Sequence, residues 1–286
     1  MTGQTDGVLN QCTLSNTCPK MFEINSETEY WNKAASLLTS DTQGNDLDLD
    51  ATPNVRYYLL SSLSHAAEVG TRTCQQLQNP LLPDPAVRAL LIAIDQWVST
   101  GTEPPVNRVP RRGNGTLVPA LPQPSVGFPV IPGVAYNGRT TTGDLFDFGG
   151  QFDQGILTTL PPAITTNAYP VFVPKTDADG NDVAGIRLPE IAVPVATYSG
   201  WTIRSADFAA DDMCNASGQK IPFPATTAER VAKRDPRPSV HERYRSHAGY
   251  VARVTLSATN LANDRLLLRE DVLRYIAKAV ISPVGR

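Results

Sequence analysis

The chain has 286 residues and a mass of 30.9 kDa, room for one large domain or two small ones. Apolar residues make up 41% and charged residues 19%, which supports a packed core and excludes wholesale disorder. A net charge of −3 excludes a strongly basic nucleic-acid binder, and no apolar run approaches the roughly 18 residues a membrane-spanning helix needs.

Residues 1–19 read as a polar loop closed by Pro19. Its opening, MTGQTDGVLNQC, lacks the basic start and apolar stretch of a signal peptide. Residues 20–25 (KMFEIN) form a short apolar run bounded by turn formers, the pattern of a strand. Ser26, with Glu29 three residues later, makes a capping-box pattern, and Tyr30, Ala34, Leu37 and Leu38 fall at helical spacing, so a helix is predicted over 29–38. An acidic loop follows from Asp41 to Asp50. Val55-Arg56-Tyr57-Tyr58-Leu59-Leu60 is aromatic, branched and apolar on both faces, as suits a central strand; a strand is predicted over 55–62, running on to His65. Pro85 to Val98 predicts a helix with Asp84 as its cap and Val87, Leu90, Leu91, Ile94, Trp97 and Val98 as its apolar stripe, ended by Gly101.

From about 102 to 200 the texture changes. Prolines and glycines concentrate there, with short β-like runs such as 169–173 and a turn signal at 177–181, which predicts extended chain wrapped on a scaffold. Helical pattern returns over 226–233, 246–263 and 270–279. The division expected is a core at 1–100, an irregular Pro/Gly-rich wrap or insertion at 101–225 and a helical segment at 226–286 that packs on the core. No period of about 20–50 residues repeats, which excludes a solenoid.

Charge is uneven along the chain. Residues 1–60 carry three basic and eight acidic side chains, whereas 229–286 carry twelve basic and six acidic. The two ends either pack together or face water. A nucleic-acid groove is set aside, for there is no Lys-rich run and no aromatic interleaving.

Cys12, Cys18, Cys74 and Cys214 contain no C-x-x-C pair, and His65, His241 and His247 offer no ligand spacing, so no metal and no cofactor is expected. Two disulfides, with Cys12–Cys18 as the local pair, would fit an exported parent protein; four separate buried thiols are the alternative.

Two predicted strands each end in something polar: 20–25 runs into Ser26-Glu27-Thr28-Glu29, and 55–62 runs into His65. Sites in open α/β sheets lie beyond the carboxyl ends of strands, and acid followed by histidine is the tail of the order Ser…Asp/Glu…His. Imidazole must take a serine proton and return it, while a carboxylate on its other nitrogen fixes the tautomer. By itself, a histidine after a strand is more often a capping or core residue.

The blocks CPKMFEINSETEYWNKAASLLTSDTQGNDLD and NVRYYLLSSLSH resemble the carboxyl-terminal half of a largely uncharacterised bacterial α/β-hydrolase-domain family. The resemblance continues through QNPLLPDPAVRALLIAIDQWVSTGTEPPVNRVP, VPKTDADGNDVAGIRLPEIAVPVATYSGW and RDPRPSVHERYRSHAGYV, and so covers most of the chain. It implies an α/β fold, a partial and mainly parallel α/β-hydrolase-like sheet with flanking helices. It also implies Glu29 as the orienting acid, Glu27 as the reserve acid and His65 as the general base. Trp31 and Trp201 are expected to be packing residues.

The nucleophile elbow G-x-S-x-G is missing: none of the 20 glycines has a serine two residues later. Ser199 lacks the preceding glycine and follows the histidine, in the wrong order. The chain is therefore expected to be the carboxyl-terminal part of an esterase-type serine hydrolase, inactive alone. Its substrate would be a small ester-like molecule, and it would associate with itself or with an upstream half, since the flank of strand 55–62 would be bare. A non-catalytic binding or assembly protein is the runner-up. A sugar-cleaving enzyme using Glu27 and Glu29 is weaker, because carboxylates two residues apart on a helix start diverge.

Overall fold

The computed structural model describes residues 9–140, 144–165, 169–214 and 216–286. Within the expected polar loop, Asn10–Leu14 forms a short helix, α1, beside a Cys12–Cys18 disulfide. A second disulfide joins Cys74 to Cys214, so among the described residues no cysteine is free.

Strand β1 (Met21–Ser26) turns into helix α2 (Glu27–Asn32) with no intervening loop. Ser26 keeps extended backbone while capping α2, and Glu29 reaches back to it in the capping box the sequence predicts. The single helix expected over 29–38 is broken. Ala34 adopts φ +53°, and the chain resumes as a 3-10 turn at Ala35–Leu38. The break follows tertiary packing: it carries Ala35 into a cluster with Tyr30, Leu59, Leu117 and Phe172, and lets the Phe172 N–H donate to Ser36 Oγ at 3.1 Å.

Strand β2 (Val55–Leu60) lies parallel to β1 in the register Met21↔Val55 through Ser26↔Leu60. Its other edge is covered by the chain's own central region. The Leu59 N–H donates to Arg108 O at 2.8 Å, and Leu59 O accepts from the Ile186 N–H at 2.7 Å. The bare flank expected at 55–62 is therefore absent, and Tyr58 and Leu59 are wholly buried. Among the described residues no strand pairs with the other edge of β1, and none of the β1 residues is fully buried.

Helix α3 (Asp84–Thr100) has Pro85 in its first turn and ends at Gly101, whose φ of +71° is the left-handed closure glycine supplies without strain. Its buried face is Ala86, Ala89, Leu90, Ala93 and Trp97, whereas Leu91 and Val98, expected in the stripe, face solvent. Small residues let the helix lie close to the sheet, and Trp97 stacks on Phe22 with ring centroids 5.9 Å apart.

The central region supplies strand pairs of two to four residues and two single-turn helices, α4 (Gln123–Val126) and α5 (Pro189–Ala192). β3 (Leu117–Val118) pairs with β6 (Val173–Pro174), β4 (Phe146–Asp147) with β5 (Ala163–Ile164), and β7 (Ala196–Ser199) with β8 (Gln219–Pro222), all antiparallel. The mainly parallel sheet expected is thus corrected to one parallel pair among four small sheets in the described residues. Proline lacks the N–H a ladder needs, and this proline-rich stretch meets β2 through isolated parallel bridges at Arg108 and Ile186 instead.

The carboxyl-terminal helices fall close to their predicted spans: α6 (Thr227–Lys233), α8 (His247–Asn263) and α9 (Arg269–Ile281). A short α7 (Val240–Arg243), held by a Ser239–Glu242 capping box, was not predicted. Leu266 and Leu267 enter the cluster that contains Tyr58, Leu60, Leu90 and Ile186, so the last segment packs onto the strands. Among the described residues no helix is long and apolar enough to cross a membrane.

Candidate active site at the carboxyl ends of β1 and β2

Because β1 and β2 are parallel and in register, the residues that follow them emerge at the same end of the pair. Each member of the sequence Ser26-Glu27-Thr28-Glu29 has a separate task there. Ser26 caps α2. Thr28 accepts the backbone N–H of His65 at 2.9 Å and donates its hydroxyl to Gly200 O. His65 is thereby fixed to the residue just before Glu29.

Glu29 divides its carboxylate between two roles. Oε2 accepts the N–H of Ser26 at 2.7 Å and its hydroxyl at 2.6 Å, while Oε1 lies 2.6 Å from His65 Nδ1. The capping box and the acid–histidine contact both draw on this one carboxylate. They coexist, and the cap holds the carboxylate aimed at the imidazole. With Nδ1–H donating to Glu29, His65 Nε2 is left with its lone pair. It has no hydrogen-bond partner among the described residues, and the His65 side chain is 66% exposed against 16% for Glu29.

Glu27 points elsewhere. It is 1% exposed, accepting from Trp31 Nε1 at 2.9 Å and from the Gly200 N–H at 2.7 Å. Burial, with the nearby Asp182 charge, raises its carboxyl well above the usual range, against the pull of those two hydrogen bonds. The structure thus brings Glu29, and not the reserve acid Glu27, to His65. Trp31 and Trp201 are both buried, 5.0 Å apart, in an aromatic cluster with Phe128 and Tyr136.

Three residues that frame the site had no assigned part in the sequence reading. Gly200 sits where a Cβ would come within 2.4 Å of Thr28 N and 2.5 Å of Leu63 O, so only glycine fits. Ser62, in the loop leading to His65, has φ +57°, and it exchanges hydrogen bonds with Asp182: its N–H donates to Oδ2 at 2.6 Å, and its Oγ accepts the Asp182 N–H at 2.8 Å. Burial pushes the Asp182 carboxyl up to about 7. Glycine in Tyr-Ser-Gly-Trp and the aspartate-rich turn at 177–182 were the available signals, but neither names its distant partner.

Ser199 is fully buried and donates its hydroxyl to Trp201 O at 2.6 Å, which removes it as a nucleophile. No hydroxyl is hydrogen-bonded to the His65 ring among the described residues. Among those residues, too, no group of three or more histidines, cysteines or carboxylates is arranged to hold a metal ion.

The family model of an alpha/beta hydrolase domain matches residues 2–277. The chain belongs to the alpha/beta hydrolase domain family. No curated protein and no solved structure is significantly similar to it. In this alpha/beta hydrolase domain the expected polar pair stands beyond the carboxyl ends of adjacent parallel strands, the position at which open α/β sheets carry their sites.

Proposed function

We propose that this alpha/beta hydrolase domain contributes the acid and the general base of a serine-hydrolase relay, Glu29 and His65, and that the serine comes from polypeptide outside residues 1–286. The observation that carries the reading is the 2.6 Å contact between Glu29 Oε1 and His65 Nδ1, with Nε2 turned to solvent. A carboxylate on Nδ1 makes Nε2 the basic nitrogen and stabilises the imidazolium once a proton arrives. Nε2 would take the serine proton as Oγ attacks the acyl carbon, then return it to the departing alcohol. Water would release the acid by the same route in reverse. The absence of any Gly-x-Ser in the sequence and the open outer edge of β1 both support a supplied nucleophile, because further strands can extend the sheet only from that edge. Carboxylic esters are the substrate class that the fold favours, by analogy at the level of the fold.

The test uses the chain alone and in complex. Purified 1–286 should take up no fluorophosphonate and hydrolyse no short-chain nitrophenyl ester. Co-expression with an upstream polypeptide that carries G-x-S-x-G should yield both activities. His65→Ala should then lower kcat at least a thousandfold and Glu29→Gln by roughly ten-thousandfold at the outside. Stoichiometric serine labelling of 1–286 alone, abolished by His65→Ala, would place the nucleophile inside this chain. A complex that binds fluorophosphonate equally well without His65 would overturn the relay and leave a binding or assembly module.

A further inference from the structure

On the far side of the β7–β8 pair lies a cavity of about 370 Å³, within the range of small-molecule sites. It shares no residue with the Glu29–His65 pair. Tyr198 and Lys220 are directly opposed in the antiparallel register, so both side chains rise from the same face of the ribbon and into the cavity wall. Tyr198 is 4% exposed, and its hydroxyl, hydrogen-bonded to no described residue, keeps some of that exposure. Lys220 is half-buried and has neither ion pair nor hydrogen bond for its ammonium group there. Across the cavity Lys278 is neutralised by Glu190 at 3.2 Å, which leaves Lys220 as the uncompensated charge. Leu81, Val195 and Val254 and the rings of Tyr250 and Tyr275 supply most of the remaining wall, with Ser282 adding a hydroxyl.

We propose that this cavity binds a small monocarboxylate with an apolar body of about the size of a phenyl ring, its carboxylate meeting Lys220 and the Tyr198 hydroxyl. The net charge of the lining is +1, from Lys220, Lys278 and Glu190, and one carboxylate balances it. A charge-assisted bond to a half-dry ammonium supplies the polar anchor, and the valine, leucine and tyrosine walls take the apolar body. The proposal does not rest on the hydrolase reading, because the site needs neither Glu29 nor His65.

The experiment titrates the purified chain with 3-phenylpropionate, followed by calorimetry and by NMR shifts of the methyl groups around the cavity. Saturable binding with shifts at Val195 and Val254 is expected, at a Kd of about 1 mM or tighter. The neutral 3-phenylpropanamide should bind at least tenfold more weakly. Lys220→Met should cost about ten- to a hundredfold, in line with a hydrogen bond to a charged group, and Tyr198→Phe a few-fold. Lys220→Gln is the second variant should the methionine protein fail to fold, and His65→Ala should bind as the parent does. No binding up to about 10 mM, equal binding of acid and amide, unchanged affinity in both Lys220 variants, or shifts that map to His65 instead would each overturn the proposal.

Discussion

Two polar junctions in this molecule treat charge in opposite ways. Along β7–β8, Arg237 is 1% exposed and every arm of its guanidinium is used. Nε and Nη2 grip the Asp235 carboxylate at 2.9 and 2.6 Å, Nη1 donates to Thr197 Oγ1 and Ile221 O, and the plane lies over the Phe223 ring. Burial would raise the Asp235 carboxyl, but the bonds and charge of Arg237 outweigh it and hold the group below its ordinary value. At the ends of β1 and β2, by contrast, Glu29 is saturated while His65 keeps one nitrogen open to solvent. A closed network of buried charges is a fixture of the fold. An oriented pair with one open nitrogen is what the proposed relay calls for, and under that proposal stability and activity should depend on different residues.

The strongest challenge to that division is Arg237→Ala, which strands Asp235 in the interior. It should lower unfolding free energy by about 3–5 kcal/mol, read as a shifted urea midpoint. If it costs no more than a surface substitution, the closed network is not the fixture described. Glu27→Gln comes next, since Trp31 and Gly200 donate to different carboxylate oxygens and the amide keeps only one of them; about 1–3 kcal/mol is expected by the same measurement.

Asp182 sharpens the comparison through pH. Its folded-state value of about 7 lies above the ordinary 3.8, so the folded protein holds a proton that the unfolded chain has released. Stability should fall as pH rises through the interval between those values and level off above it. In Asp182→Asn the fall should be shallower, with the Glu27 and Asp177 contributions left, when urea midpoints at about pH 4.5 and about pH 7.5 are compared. Glu29→Ala, which removes the α2 cap, should cost about 1 kcal/mol. His65→Ala should leave the midpoint within about 0.5 kcal/mol, the range of exposed positions, while lowering kcat of the proposed complex at least a thousandfold.

What could be read from the sequence was local. β1, β2, α3, α8 and α9 follow from periodicity, although α3 starts at Asp84 with Pro83 and not Asp84 as its cap, and Glu29 with His65 follow from strand ends, chain order and the resemblance. What escaped acts across the chain. Gly200 meets Glu27 at a separation of 173 residues, Asp182 meets Ser62 at 120, and Arg237 meets Thr197 at 40. No periodicity records such contacts. The break at Ala34 was hidden for a similar reason: helical spacing continues through it, and only the need to seat Ala35 and Ser36 against Phe172 stops the helix. Proline content correctly marked the irregular middle but did not reveal that this same stretch seals the inner flank of β2.

The open edge of β1 has a signature in isotope exchange. The Met21 N–H points inward to Asn54 O, so by alternation the amides of Glu23 and Asn25 also face β2, while those of Phe22 and Ile24 face outward. Ser26 would belong to the outward set, but the Glu29 carboxylate accepts its N–H. Deuterium uptake along this strand should accordingly run fast at 22 and 24 and slow at 21, 23, 25 and 26. Once another strand docks on that edge, the two fast amides should slow while their neighbours barely change. A six-residue stretch of backbone would then report, amide by amide, whether the sheet has been extended.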